Sequence, residues 1–260
     1  AELGRFPWPR AVHAQLVNRL IAAGAKTVAF DILFPEPDKT NLASDAALVA
    51  ATRRANKKVV HNSFFDKITD GVAFNFSPPL PGLKQDNPFG FANVFMDSDG
   101  FVRKIKLQMA YDGQQHSHLS LAAAANFLGR DPAEVAREIP LGRTGSMLLN
   151  YAGGYGQFNY LPYHEVLAAE EKDLSEVVKD KLVLVGVTAT GLFDHHPQPF
   201  SPFFPGVEIQ ATSMENIIDK MWMREISWAV TLLGVIIWGL GLAFLLPRVT
   251  PLLCTVAAPV

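Results

Sequence analysis

The sequence predicts an α/β protein: a mixed sheet built from parallel helix–strand units, an antiparallel meander in its middle, and a C-terminal transmembrane helix. Three observations carry this. Helical apolar stripes alternate with strand-like apolar runs over residues 9–65, two Asp-Gly pairs punctuate a strand-rich middle, and residues 226–246 contain no charged side chain. The chain has 260 residues, 49% of them hydrophobic and 10% aromatic, which is enough to bury a substantial core. Lysine plus arginine (23) nearly balance aspartate plus glutamate (25), for a formal charge of −2, so bulk electrostatics favour no nucleic-acid partner. Cys254 is the single cysteine, which excludes disulfides, cysteine-ligated zinc and thiol nucleophiles from the first 253 residues.

In chain order, residues 9–23 place Val12, Leu16, Val17, Leu20 and Ile21 on one helical stripe, with Pro9 at the start and Gly24 as the stop. Residues 28–34, VAFDILF, read as a strand. The segment 41–56 repeats the helical stripe through Leu42, Leu48 and Val49, and 58–65, KVVHNSFF, is strand-like again. Helix, strand, helix, strand implies parallel pairing through helical crossovers. Over 87–120, two strand-like runs are expected to pair through Ser98, Asp99 and Gly100, with a second turn at Asp112 and Gly113. A helix over 117–129 follows, then a short one capped by Asp131 with Pro132 and Glu134. Residues 147–153 and 180–187 are further strands, and 207–219 is a helix with Val207, Ala211, Met214, Ile217 and Ile218 on one side. That helix is expected to run almost directly into the apolar segment.

Residues 226–246, at about 1.5 Å per residue, span the roughly 30 Å hydrocarbon core. A buried core helix rarely runs so long without a stronger polar residue than Ser or Thr. Trp222 and Trp228 fit an interfacial belt; Pro247 and Arg248 end the helix, and 251–260 starts a second apolar run. The expected domains are therefore 1–221 on one side of a membrane and 222–260 as the membrane region. Lys220 and Arg224 against Arg248 lean towards a cytoplasmic body, yet large domains translocate largely regardless of loop charge.

Candidate chemistry is sparse. The D-x-D-G of Asp97 to Gly100 is a fragment of a calcium loop, but no acid follows where the bidentate ligand belongs; Asp97, Asp99 and Gly100 read as a turn, with Arg103 pairing across it. His195 and His196 beside Asp194 are metal-ligand chemistry that would need distant partners such as Asp31 or His164. No G-x-S-x-G and no phosphate-binding P-loop occurs, and no cofactor or metal is assigned. In an open α/β sheet, ligands gather outside the carboxyl ends of parallel strands. If 28–34 and 180–187 are neighbours, Asp31, Glu36, Asp38, Thr188, Thr190 and Asp194 line one crevice; alternatively Asp31 accepts hydrogen bonds from the long loops and Asp38 is a turn or cap residue.

The ordered set 6–38, 89–107 and 181–219, followed by hydrophobic spans, resembles the CHASE2 family. The W-P-R start at Trp8 to Arg10, the D-x-x-F of Asp31 to Phe34, the F-x-D-x-D-G-x-x-R of Phe95 to Arg103, Asp194, and the P-G-V-E of Pro205 to Glu208 match its pattern, while Gln198 stands where Thr is expected. The resemblance implies an extracytoplasmic input domain of a bacterial receptor, with 1–221 periplasmic and the chain anchored in the inner membrane. Glu208 and His195 complete the candidate ligand-binding residues, and the ligand expected is an unidentified small molecule or protein. The resemblance also implies a homodimer, a further span before this segment, and a cytoplasmic nucleotide cyclase or kinase after it. The other class of function open to these residues is a membrane-tethered metal-dependent hydrolase using Asp31, Asp194 and His195 or His196.

Overall fold

In the computed structural model, residues 3–4, 6–39, 41–69, 72–142, 144–188 and 195–246 are described. The chain divides into two compact units, Ala1–Met223 and Arg224–Val260. The first begins with α1 (Arg10–Ala22), β1 (Thr27–Phe30), α2 (Leu42–Arg54), β2 (Val59–Thr69) and β3 (Val72–Ser77). A single turn, α3 (Pro81–Lys84), leads to β4 (Phe89–Phe91), β5 (Lys104–Lys106), β6 (Gln108–Tyr111) and β7 (Gln114–Ser117). Then come α4 (Leu119–Leu128), α5 (Pro132–Glu138), β8 (Ser146–Leu148), α6 (Tyr163–Ala168), α7 (Glu171–Val178) and β9 (Leu182–Val185). A hairpin of β10 (His195–Gln198) and β11 (Ser201–Pro205) runs straight into α8 (Gly206–Ile218), and α9 (Trp228–Leu245) forms the second unit.

The central sheet has the order β3-β2-β1-β9, with β4 also paired to β2. Pairings β1–β2, β1–β9 and β2–β4 are parallel and β2–β3 is antiparallel, so the sheet is mixed. Alternation along the strands sends side chains to two cores. Val28, Phe30, Val59 and Val185 pack with α1, α2, α6 and α7, while Ala29 and Val60 face α4 and α8 on the other side. Helices on both faces are what a parallel sheet requires to stay dry.

The stripe expected of α1 is buried through Leu16, Val17 and Leu20, together with His13 and Ala14. In α2 the buried face instead starts at Ser44 and Asp45, and Leu42 is exposed, because Ser44 Oγ accepts the Ala11 N–H at 2.7 Å and draws the polar first turn against α1. β1 ends at Phe30 rather than continuing to Phe34, since Asp31 N–H makes a last bond to Val185 O (2.7 Å) before the chain turns off the sheet. The two runs flanking Ser98–Gly100 do not pair with one another. Residues 89–91 join β2 in parallel, and 104–106 pair with β8 in antiparallel register. The second expected turn does close a hairpin: Asp112 (φ 48°) and Gly113 (φ 72°) sit in the left-handed region that a two-residue loop between β6 and β7 demands.

Helix α8 is enclosed by the body, with Ala211, Glu215 and Ile218 as its half-buried positions and the rest buried. Two of its buried polar side chains are tied to neighbours: Asn216 exchanges two hydrogen bonds with the Asn150 backbone (2.7 and 3.1 Å), and Ser213 Oγ donates to Ser120 Oγ at 2.8 Å. Residues 219–227 are not helical, so α8 and α9 are separate helices, and Met223 bridges to Leu148 of β8. α9 is long and apolar enough to cross a membrane, and none of its residues is buried.

Candidate functional site

Because β1 and β9 are neighbours in register, with Phe30 opposite Val185, their carboxyl ends open onto one cleft of about 490 Å³. Asp31, the first residue beyond β1, and Thr188, just beyond β9, lie at its floor; the turn out of β1 adds Ile32, Leu33 and Phe34. The N-terminal segment supplies Phe6 and Trp8, α1 supplies Arg10 and His13, and the hairpin before α8 supplies His195 and Pro205. Asn62, at the matching level of β2, donates from Nδ2 to Asp31 Oδ1 at 3.2 Å. An aromatic wall is built by stacking: Trp8 lies 4.7 Å from Tyr163, with Phe6 edge-on at 5.7 Å, and His13 meets Phe34 at 5.2 Å. The Trp8 indole N–H is used internally, donating to Gly4 O at 3.1 Å.

Burial and, secondarily, the Arg10 guanidinium lower the His13 pKa to about 4, so this ring is neutral at neutral pH. It shares a hydrogen bond with the Tyr163 hydroxyl at 2.8 Å. Arg10 stands at the cleft edge but is engaged. Its Nη2 donates to Glu36 O at 2.6 Å, and its Nε lies 2.8 Å from Asp45 Oδ1 in a geometry that makes an ion pair without a hydrogen bond. Asp38 is 3.6 Å away, and its N–H donates to Asp45 Oδ2 at 2.7 Å. Asp38 and Glu36 therefore belong to a latch that holds loop 31–39 onto α1 and α2: Glu36 contributes a carbonyl while its side chain is exposed, and neither residue lines the cleft. Of the residues expected to share the crevice, Asp31 and Thr188 do, and the candidate His195 joins them. Thr190 and Asp194 lie outside the described residues.

The floor of the cleft also touches α8. Gly186 follows β9 directly, and a Cβ there would lie 2.4 Å from Val207 Cγ2 and 3.5 Å from Asp31 Cβ. Its backbone is unstrained; what the position requires is space, because the end of β9 is pressed between the cleft carboxylate and the first turn of α8. Among the described residues no three His, Cys, Asp or Glu side chains come together as a metal site. His195 and His196 instead take part in the β10–β11 pairing, opposite Pro205 and Phe204.

A family model described as the CHASE2 domain matches residues 1–246, which takes in the whole body and the apolar helix. The chain belongs to the CHASE2 family. CHASE2 is an extracytoplasmic sensor domain of receptors. Neither the curated proteins nor the solved structures compared with the chain give a match.

Two other features of this CHASE2 domain fall away from the cleft. The 95–103 turn is closed by Gly100 N–H to Asp97 O (2.9 Å) and Asp97 N–H to Phe101 O (2.7 Å). Arg103 bonds both Asp97 (3.1 Å) and Asp99 (2.8 and 2.9 Å), which holds Asp99 below the usual carboxylate range. Glu208 is 2% exposed in the first turn of α8, where Oε1 accepts the Gly156 N–H (2.9 Å) and the Tyr160 hydroxyl. It fastens the 151–162 loop to α8 and does not line the cleft. Sequence reasoning passed over His13, Asn62 and Gly186. The signal for Gly186 was present as a glycine placed directly after an apolar strand; Asn62 and His13 had none, since only the register of β1 against β2 and the stacking of α1 bring them to the site.

Proposed function

We propose that this CHASE2 domain is the ligand-sensing input of a bacterial inner-membrane receptor. The cleft at the ends of β1 and β9 binds the ligand on the periplasmic side, and α8 carries the response through residues 219–227 to the span at 228–245. The receptor works as a homodimer and controls a cytoplasmic nucleotide cyclase or protein kinase beyond this chain. The single observation that carries the reading is the contact between cleft and helix: Gly186 and Val207 meet with no room for one further carbon atom. A ligand that moves Asp31 or the end of β9 thereby works directly on the N-terminus of α8. A tenfold preference of the ligand for one of two arrangements, about 1.4 kcal/mol, is within reach of one charge-assisted hydrogen bond.

The test places residues 1–246 in the receptor with its cytoplasmic domain and measures second-messenger or phosphoryl output. Trp8→Ala, Asp31→Asn and Gly186→Ala are expected to shift basal output, while Lys172→Ala, at an exposed position of α7, leaves it unchanged. Equal output from all four would overturn the reading. Because α8 is enclosed, engineered disulfides between protomers belong at 219–227; output unaffected at every such position would refute transmission through this segment.

A further inference from the structure

We propose that two copies of this chain join edge to edge through β9, each adding an antiparallel strand to the other's central sheet. This rests on the reading of the receptor as a homodimer and names the surface that makes it. β9 ends the strand order β3-β2-β1-β9, and among the described residues its strand partner is β1 alone. Lys181 and Val185 give their carbonyls to that side, accepting Thr27 N–H at 3.3 Å and Asp31 N–H at 2.7 Å. Alternation along the strand then turns the backbone N–H and C=O of Leu182 and Leu184 away from β1. Neither residue makes a hydrogen bond on that outer side among the described residues. Their side chains pack against the α4 and α8 face and are only partly buried.

An open edge is a template for another strand, and folded proteins guard it with charges, proline or a bulge. The β2–β3 ladder at the other rim is bulged, shifting register between Phe65 and Lys67 and again between Lys67 and Ile68. β9, Leu-Val-Leu-Val in unbroken register with β1, carries none of these guards. What fits it is β9 itself. In an antiparallel pairing centred on Val183, Leu182 of each copy exchanges N–H···O=C bonds with Leu184 of the other, and the two Val183 side chains meet as a β-branched cross-strand pair. Lys181 falls opposite Val185 and Asp180 opposite Gly186, so no charge faces a like charge. The two-fold axis of such a pairing is normal to the sheet, so each face of the joined sheet is shared by both copies. α8, packed beside α4 and against β9, then lies on the same face in both copies, as two chains held in one membrane require. Anchoring in that membrane keeps the two edges at high effective concentration, so a short interface suffices.

The experiment uses the whole chain in membrane vesicles, with Cys254→Ser to remove the native thiol. Val183→Cys is expected to give a disulfide-linked dimer under mild oxidation, whereas Asn75→Cys, exposed on β3 at the opposite rim, stays monomeric. Leu182→Pro removes an N–H that β1 does not use and is expected to abolish the crosslink at 183; Leu182→Ala, which keeps that N–H, preserves it. The comparison of the two cysteine positions stands even if the proline variant is poorly folded. No dimer from Val183→Cys, or equal dimer from both cysteine positions, overturns the proposal. Leu182 and Leu184 amides protected from exchange without a crosslink at 183 would mean that a different strand covers the edge, which also refutes it. Crosslinks at 219–227 but not at 183 leave the homodimer standing through another surface, and the output assay above decides the sensor reading separately.

Discussion

Gly186→Ala is the most direct probe of how the cleft is joined to α8. The new Cβ would lie 2.4 Å from Val207 Cγ2 and 2.9 Å from Val207 Cβ. Carbon atoms in contact prefer about 3.5–4.0 Å, so the strand end or the helix must give by about 1 Å. Val207 is 8% exposed and held in the first turn of α8, so it has little freedom to yield. Overpacking of this kind costs about 1–3 kcal/mol, which for a body of this size lowers Tm by about 2–12 °C. Val207→Ala alone removes two buried carbons and costs about 1–3 kcal/mol. It also deletes the atom responsible for the closest approach, so the double variant is expected to be more stable than the sum of the singles by about 1 kcal/mol or more. The assay is chemical denaturation of the whole chain in detergent for the four members of the cycle. Additivity within about 0.5 kcal/mol would show that the end of β9 and α8 are not in rigid contact, and the transmission argument would lose its physical basis.

Acid should unfold the body in a defined window. Burial lowers the pKa of His13 to about 4 and of His61 and His118 to about 3, so below pH 6.5 the unfolded chain takes up protons first. The stability they contribute is whole above the unfolded value and is lost as pH falls through 6.5 towards these values, by up to about 1.4 kcal/mol per pH unit for each ring. Denaturation midpoints at pH 7 and pH 5 check the slope, and His61→Leu should flatten it by removing one of the three rings; an unchanged slope contradicts the assignment. Asp45→Ala leaves the Arg10 guanidinium and the Asp38 N–H without their shared carboxylate and should cost about 1–3 kcal/mol. Limited proteolysis should show the cut shifted into 31–39, and protection equal to the parent would refute the latch. Tyr160→Phe deprives the buried Glu208 of a donor. Hydrogen exchange should accelerate at 151–162 with α8 unchanged, and a uniform acceleration would argue against a local fastening. Removing residues 224–260, which form their own compact unit, is expected to release the body from membranes with its melting temperature unchanged; a body that no longer melts cooperatively would contradict that division.

Much of the architecture was legible because apolar periodicity is a local property. The stripe of α1, the existence of helix α8, the strands β2 and β9, the cap at Asp131 and the apolar helix each announce themselves within a few residues, although α8 is buried well beyond its expected side. The expectation that ligands collect where two parallel strands end named Asp31 and Thr188 together, and the adjacency of β1 and β9 brings both to one cleft. Where the reading diverged, the deciding contacts were distant in sequence. Residues 104–106 pair with 146–148 rather than across their own turn, and Asp38 turned to Arg10 because α1 and α2 lie side by side. α6 and α7 were not anticipated; they are short, and much of their surface faces water.

By itself the sequence determined the α/β class, the apolar C-terminal helix, the near-neutral charge and the family pattern, since each follows from residue type and spacing along the chain. Only the tertiary structure decided that Asp31 leans on Asn62, that Arg10 is already balanced by Asp38 and Asp45, and that Gly186 leaves no gap beneath Val207. Those are facts of distance between segments far apart in the chain. Hydrogen bonds and van der Waals contacts act over a few ångströms of space, whatever the number of residues between the partners.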